Sequence, residues 1–185
     1  AKGSPYLAAT PVVDAQANAG SPHRGATVSG GNGVVIRGIT FRHGFGFEGS
    51  GLAIYGASNC SLDDVTFDAN TAEHGGGLEV DYGAIVSVQN SRFQGNTATV
   101  WRGGGAYLSG QSHATFMNCQ FTGNAAGPGG GQMGGGLQVN ATGSSVVVTG
   151  CTFSGNSADW GGGAGVDSGS GAFTNCSFTN NIDTL

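Results

Sequence analysis

Charge is what this chain has least of. Only 9 % of its 185 residues are Asp, Glu, Lys or Arg, where an ordinary soluble domain carries ~25 %. The basic residues number six, namely Lys2, Arg24, Arg37, Arg42, Arg92 and Arg102, and the formal net charge is −5. Nucleic-acid binding rests on clustered cations that neutralise phosphate, so no nucleic-acid partner is expected. A polybasic membrane patch is excluded on the same ground. Long apolar runs are missing as well: the longest aliphatic run is Val146-Val147-Val148, and a spanning helix needs roughly 20 apolar residues. Residues 1 to 20 lack a basic start followed by an apolar stretch, which reads as a mature product or an excised domain. What the chain has in excess is glycine, 38 residues. The glycines cluster as GGG without a three-residue period, which excludes collagen. Each would cost ~1 kcal/mol relative to alanine inside a helix, so long helices are not expected.

A repeat organises the rest. Phe41, Phe67, Phe93, Phe121, Phe153 and Phe178 share one local context, at spacings of 26, 26, 28, 32 and 25 residues. Two residues before each stands Ile39, Val65, Ser91, Cys119, Cys151 or Cys176, and five before stands Ile36, Leu62, Val88, Phe116, Val148 or Phe173. Seven before comes Val34, Cys60, Val86, Ala114, Val146 or Gly171. Alternation within each pair marks inward-facing strand residues, and the slip between the pairs marks a bend. The bend position, three before each phenylalanine, holds Gly38, Asp64, Asn90, Asn118, Gly150 or Asn175, residue types that enter the left-handed region cheaply. This assigns Asp64 to a turn rather than to an acid/base pair with Asp63.

Three residues after phenylalanine comes Asn70, Asn96, Asn124, Asn156 or Asn181, with Gly44 in the first copy. A loop follows, then a glycine triplet beginning at Gly75, Gly103, Gly134 or Gly161, or Gly49-Ser50-Gly51 in the first copy. A third short strand follows each: Leu52-Ala53-Ile54, Leu78-Glu79-Val80, Ala106-Tyr107-Leu108, Leu137-Gln138-Val139 and Ala164-Gly165-Val166. Such units cannot bury an apolar face alone, but stacked copies bring equivalent residues ~4.8 Å apart into continuous columns. The asparagines then form ladders whose amides bond along the column and to the turn backbone.

The F-x-x-N-x-A segments (Phe67 to Ala72, Phe93 to Ala98, Phe121 to Ala126, Phe153 to Ala158), each followed by GGG, resemble the repeats of right-handed parallel β-helix proteins of the pectin-lyase-like type. They are most similar to the F-x-x-N and G-G-A-I repeats of chlamydial-type polymorphic outer-membrane proteins, although GGG with Leu or Ala replaces GGAI here. The expected fold is therefore all-β, a right-handed parallel β-helix (β-solenoid) of about six coils with three short strands each. Residues 1–24 form an irregular N-terminal segment or cap, with Val12-Val13-Asp14 as a strand of an earlier coil, and residues 25–185 form the repeats. The resemblance implies a secreted or cell-surface protein, often an adhesin, and carries no catalytic residue across. A subunit of a complex in an organelle lumen is the other setting compatible with the sequence. Nothing caps Asn181 to Leu185, so further chain or a partner is expected to cover that coil. The cysteines fall within the inward columns and are expected to be buried thiols rather than disulfides or zinc ligands.

Two candidate binding surfaces follow from stacking. The loops between Asn and GGG place Phe45, Phe47, His74, Trp101, Arg102, Met133 and Trp160 in a line along one edge, and aromatics, Met and Arg are enriched in interface cores. His74 by itself reads as a surface histidine. The outward residues of the third strand, Glu79, Asp81, Tyr107, Gln138, Asn140 and Asp167, form a polar stripe that is either a weaker binding surface or a solvated face. No catalytic residue, metal or cofactor is assigned: Arg92 and Arg102 are the only basic residues of the central coils, and no D-x-D-x-D-G loop occurs. The expected function is a non-catalytic binding or scaffold module whose partner is a protein, an assembly or a cell-surface glycan. The alternative is a lyase, epimerase or hydrolase acting on a polysaccharide through the third-strand face.

Overall fold

A computed structural model describes residues 11–127 and 131–185. Every described element is a strand, and every strand pairing within the sheets is parallel. The first strands of successive coils (for example Cys60–Asp63, Ile85–Gln89 and His113–Met117) form one six-stranded sheet. The second strands (Thr66–Asp68, Arg92–Gln94, Gln120–Thr122) belong to a seven-stranded sheet that begins with Val12–Asp14 paired to Thr40–Arg42. The third strands (Ala26–Ser29, Leu52–Tyr55, Leu78–Asp81, Ala106–Leu108, Leu137–Asn140, Ala164–Asp167) form another sheet of six. The β-solenoid expected from the repeat is thus present, with one coil per phenylalanine.

The strand count per coil is corrected from three to four. The residues after each asparagine, read as loops, open with a short strand of their own: Phe45–Glu48, Thr71–His74, Thr97–Ala98, Ala125–Ala126, Ser157–Ala158 and Ile182–Asp183 form a further six-stranded sheet. These are called corner strands below. The sequence conceals them because they are short and contribute mostly alanine inward, at Ala72, Ala98, Ala126 and Ala158. In the fourth of these segments, Pro128 to Gly130 lie outside the described residues.

The columns hold the coils in register. Phe67, Phe93, Phe121 and Phe153 are fully buried, and from Phe93 to Phe178 their rings stack with centroids 4.5 to 4.6 Å apart. The bend positions Asp64, Asn90, Asn118 and Asn175 have φ of 51 to 54°, and Gly38 and Gly150 are left-handed too. Along the asparagine ladder each side-chain amide donates to the next asparagine's Oδ1, at 2.9 Å for Asn70–Asn96, Asn96–Asn124 and Asn124–Asn156. Its second hydrogen goes to a phenylalanine carbonyl of the preceding coil, as from Asn96 to Phe67. Each Oδ1 also accepts a backbone N–H, so these buried amides are satisfied.

All four cysteines are free thiols, three of them buried. The column of Cys119, Cys151 and Cys176 explains why Ser91 can occupy an equivalent place: Ser91 Oγ accepts from the Val65 N–H and donates to the Gln89 carbonyl. Cys151 Sγ accepts from the Cys119 N–H and donates to the Thr149 carbonyl in the same way.

Candidate functional site

The site is built by the glycine corner. After the corner strand Thr71–His74 the chain reverses at Gly75, whose φ is +61°. A Cβ there would lie 3.0 Å from both Glu79 Cβ and the Leu78 carbonyl oxygen, a crowding that together with the left-handed backbone angle favours glycine. The reversal folds the end of the corner strand over the outer face of the third strand. Consequently Leu78, Glu79 and Val80 are all buried, Leu78 and Val80 in the main core and Glu79 under the corner. The expected solvated stripe is corrected here: Glu79 and Gln138 are both 0 % exposed, because the corner covers them. Asp81, Tyr107, Asn140 and Asp167 remain partly accessible.

His74, read as a surface histidine, is instead half-buried between two carboxylates. Its Nδ1 lies 3.2 Å from Glu79 Oε2, and its Nε2 lies 3.6 Å from Oε1 of Glu48. Glu48 is its register partner in the preceding coil. Neither Glu79 oxygen, nor His74 Nδ1, has a hydrogen-bond partner of acceptable geometry among the described residues. Tyr55 donates to the other oxygen of Glu48 at 2.9 Å. Phe47 and Tyr107 meet the imidazole edge-on, with centroids 5.8 and 5.3 Å away.

The electrostatics follow from this enclosure. Burial pushes the Glu79 carboxyl above its usual range; His74 opposes the shift, while Glu48 and Asp81 reinforce it. Burial alone would lower the His74 imidazole, but Glu79, then Glu48 and Glu73, outweigh it, and the net shift is upward. Burial likewise raises the Tyr107 hydroxyl, against a hydrogen bond donated by Asn140 at 3.3 Å.

Beside this cluster opens a pocket of about 200 Å³ lined by His74, Trp101, Arg102, Tyr107 and Asn140. Trp101 is 57 % exposed at its rim. Arg102 Nη1 donates to Asp167 Oδ2 at 3.0 Å, a bridge that reaches past the Leu137–Asn140 strand and holds the guanidinium along the groove.

The structure thus divides the expected loop edge. The residues immediately before each glycine corner, namely Glu48, His74, Arg102, Met133 and Trp160, form one column, since the carbonyl of each from His74 onward accepts from the corner glycine N–H of the coil before. Trp101 stands one position earlier in its coil and lines the pocket together with His74 and Arg102. Met133 and Trp160 bridge each other farther along, outside that lining, and Trp160 is 50 % exposed. Phe45 pairs in register with Thr71, and Phe47 is exposed against His74. Three of the seven edge residues, together with Tyr107 and Asn140 of the stripe, converge on the pocket. Glu48 and Tyr55 were not singled out from the sequence. The signal for Glu48 was its place directly before a glycine corner, the one His74 holds in the next coil.

The chain belongs to the right-handed β-helix family: residues 19–184 match the family model described as the right handed beta helix region. Comparisons with curated proteins and with solved structures returned no match.

Proposed function

We propose that this β-helix is a non-catalytic binding module that takes a glycan in the pocket of His74, Trp101, Arg102, Tyr107 and Asn140. The observation that carries the reading is the make-up of that lining. An exposed indole offers a flat apolar surface to the C–H face of a sugar ring, while an amide, a phenol and a guanidinium offer directional bonds to its hydroxyl or carboxylate groups. The pocket lies on a rod of identically spaced coils, so a linear chain of sugars running along the axis meets a regular surface. The F-x-x-N repeats, with their resemblance to polymorphic outer-membrane proteins, support a secreted or surface-exposed setting of adhesin type.

The chain has two tryptophans, Trp101 and Trp160, so Trp160→Phe leaves a single fluorescent reporter in the pocket. Titration of that variant with neutral and uronate-containing oligosaccharides should change Trp101 emission saturably for at least one class. In the wild type, Trp101→Ala should weaken binding of that class roughly tenfold or more, the loss of a stacked aromatic anchor. Absence of a saturable response across the panel, or binding that survives Trp101→Ala, would sink the proposal. Release of reducing ends or unsaturated sugars from the same panel would replace it with the enzymatic reading.

A further inference from the structure

We infer that Glu48, His74 and Glu79 form a binding site for a divalent first-row transition metal ion. One donor atom from each lies within 4.8 Å of the others, close enough to converge on a single ion after small side-chain rotations. The second observation is independent of that clustering. Glu79 is 0 % exposed, and both its oxygens lack a hydrogen-bond partner, as does His74 Nδ1. A buried carboxylate left in this state is costly, and native interiors rarely tolerate it. A proton shared between His74 Nδ1 and Glu79 Oε2 would satisfy those two atoms and leave Oε1 without a partner. The 3.2 Å approach of Nδ1 to Oε2 also lacks hydrogen-bond alignment.

A divalent cation answers all of these needs. It takes up lone pairs from both glutamates and from one imidazole nitrogen, and it cancels the two carboxylate charges. The surroundings favour it, since Glu73 and Asp81 add negative potential around the cluster. The donor set, one imidazole and two carboxylates, suits Zn²⁺, Co²⁺ or Mn²⁺ rather than the all-oxygen shell of Ca²⁺. The Tyr55 hydroxyl, which fixes Glu48 through its other oxygen, is the kind of outer contact that orients a ligating carboxylate. This departs from the absence of metal expected from the sequence, where the three residues lie in different segments and follow no ligand spacing.

The test uses the whole chain, stripped with chelator and titrated with Zn²⁺ alone by calorimetry, with Co²⁺ as a spectroscopic probe. No saccharide is present, so failure here leaves the glycan reading standing, and the reverse holds too. One equivalent should bind, with a visible Co²⁺ absorption band and a Zn²⁺-dependent shift of one His74 ring ¹⁵N resonance. Glu79→Gln should weaken binding tenfold or more. Its folding is safeguarded by Gln138, which holds the same outward register position two coils farther along. Glu48→Gln, at a partly exposed position, is a second variant with the same expected loss. Failure of Zn²⁺ to bind saturably, binding that both variants retain, or His74 resonances that ignore the ion would each overturn the site.

Discussion

At the scale of single residues, the rod is held by polar groups that have no alternative partners. Asn96 illustrates the constraint. Its Oδ1 accepts from the Asn70 N–H at 3.1 Å and from the Asn70 amide at 2.9 Å, and its own amide supplies Phe67 and Asn124. Asn96→Ala leaves those buried donors and acceptors without water or protein, and each orphan costs ~1–3 kcal/mol. We expect a loss of about 3 kcal/mol or more in urea unfolding, against about 1 kcal/mol or less for Asn181→Ala, the partly exposed last rung. Equal effects at the two positions would show that the ladder is not cooperative in this way. The glycine corner obeys a different constraint. A Cβ at Gly77 would lie 2.6 Å from the Gly105 carbonyl oxygen of the next coil. Gly77→Ala must therefore push two coils apart, and we expect a loss of more than 2 kcal/mol by the same measurement.

At the scale of elements, the phenylalanine column shows why the repeat was readable and the site was not. Phe93 is fully buried between Phe67 and Phe121, whereas Phe178 is 49 % exposed on the last coil. Phe93→Ala should cost ~3–5 kcal/mol and Phe178→Ala distinctly less, in denaturant titrations that keep the parallel-sheet circular dichroism as reporter. Comparable losses would mean that the column is not the dominant core. Because stacking forces every coil to offer the same residue type inward, the sequence states the core six times over. The bends are stated as plainly, since Asp64, Asn90, Asn118 and Asn175 all take the left-handed conformation that their residue types suggest. The site has no such redundancy. Glu79, Tyr107 and Gln138 share one register column and differ in chemistry. The burial of Glu79 comes from the corner strand, whose short alanine-bearing segments carry little periodic signal. A strict outward reading of alternation therefore placed Glu79 in solvent, and only the reversal at Gly75 shows it beneath His74.

At the scale of the whole molecule, the last coil of the 185-residue chain, taken by itself, is exposed along its parallel strands. Ser170–Thr174, Ser177–Thr179 and Ile182–Asp183 are exposed throughout and stand at the edges of their sheets, with Phe173 and Phe178 offering apolar surface beside them. Unpaired N–H and C=O groups in register with an apolar column are a template for another copy of the same chain. Contact between unlike ends of two rods does not close, so association by that route continues into short filaments, whereas contact between two like ends stops at a dimer. We expect the isolated chain to self-associate with rising concentration in sedimentation velocity. The double change Ala172→Lys and Ser177→Lys, at positions that pair with the outward Val147 and Thr152, should return it to a monomer, because a lysine at an edge resists strand addition. Those substitutions lie outside the Phe column and the His74 cluster, so stability and Zn²⁺ uptake should be retained. A chain that stays monomeric at high concentration, or whose association survives both lysines, would show that the last coil is not the adhesive surface. The exposed tryptophan edge at Trp101 and Trp160 would then be the surface to test next, by the same sedimentation measurement on the Trp101→Ala and Trp160→Phe variants.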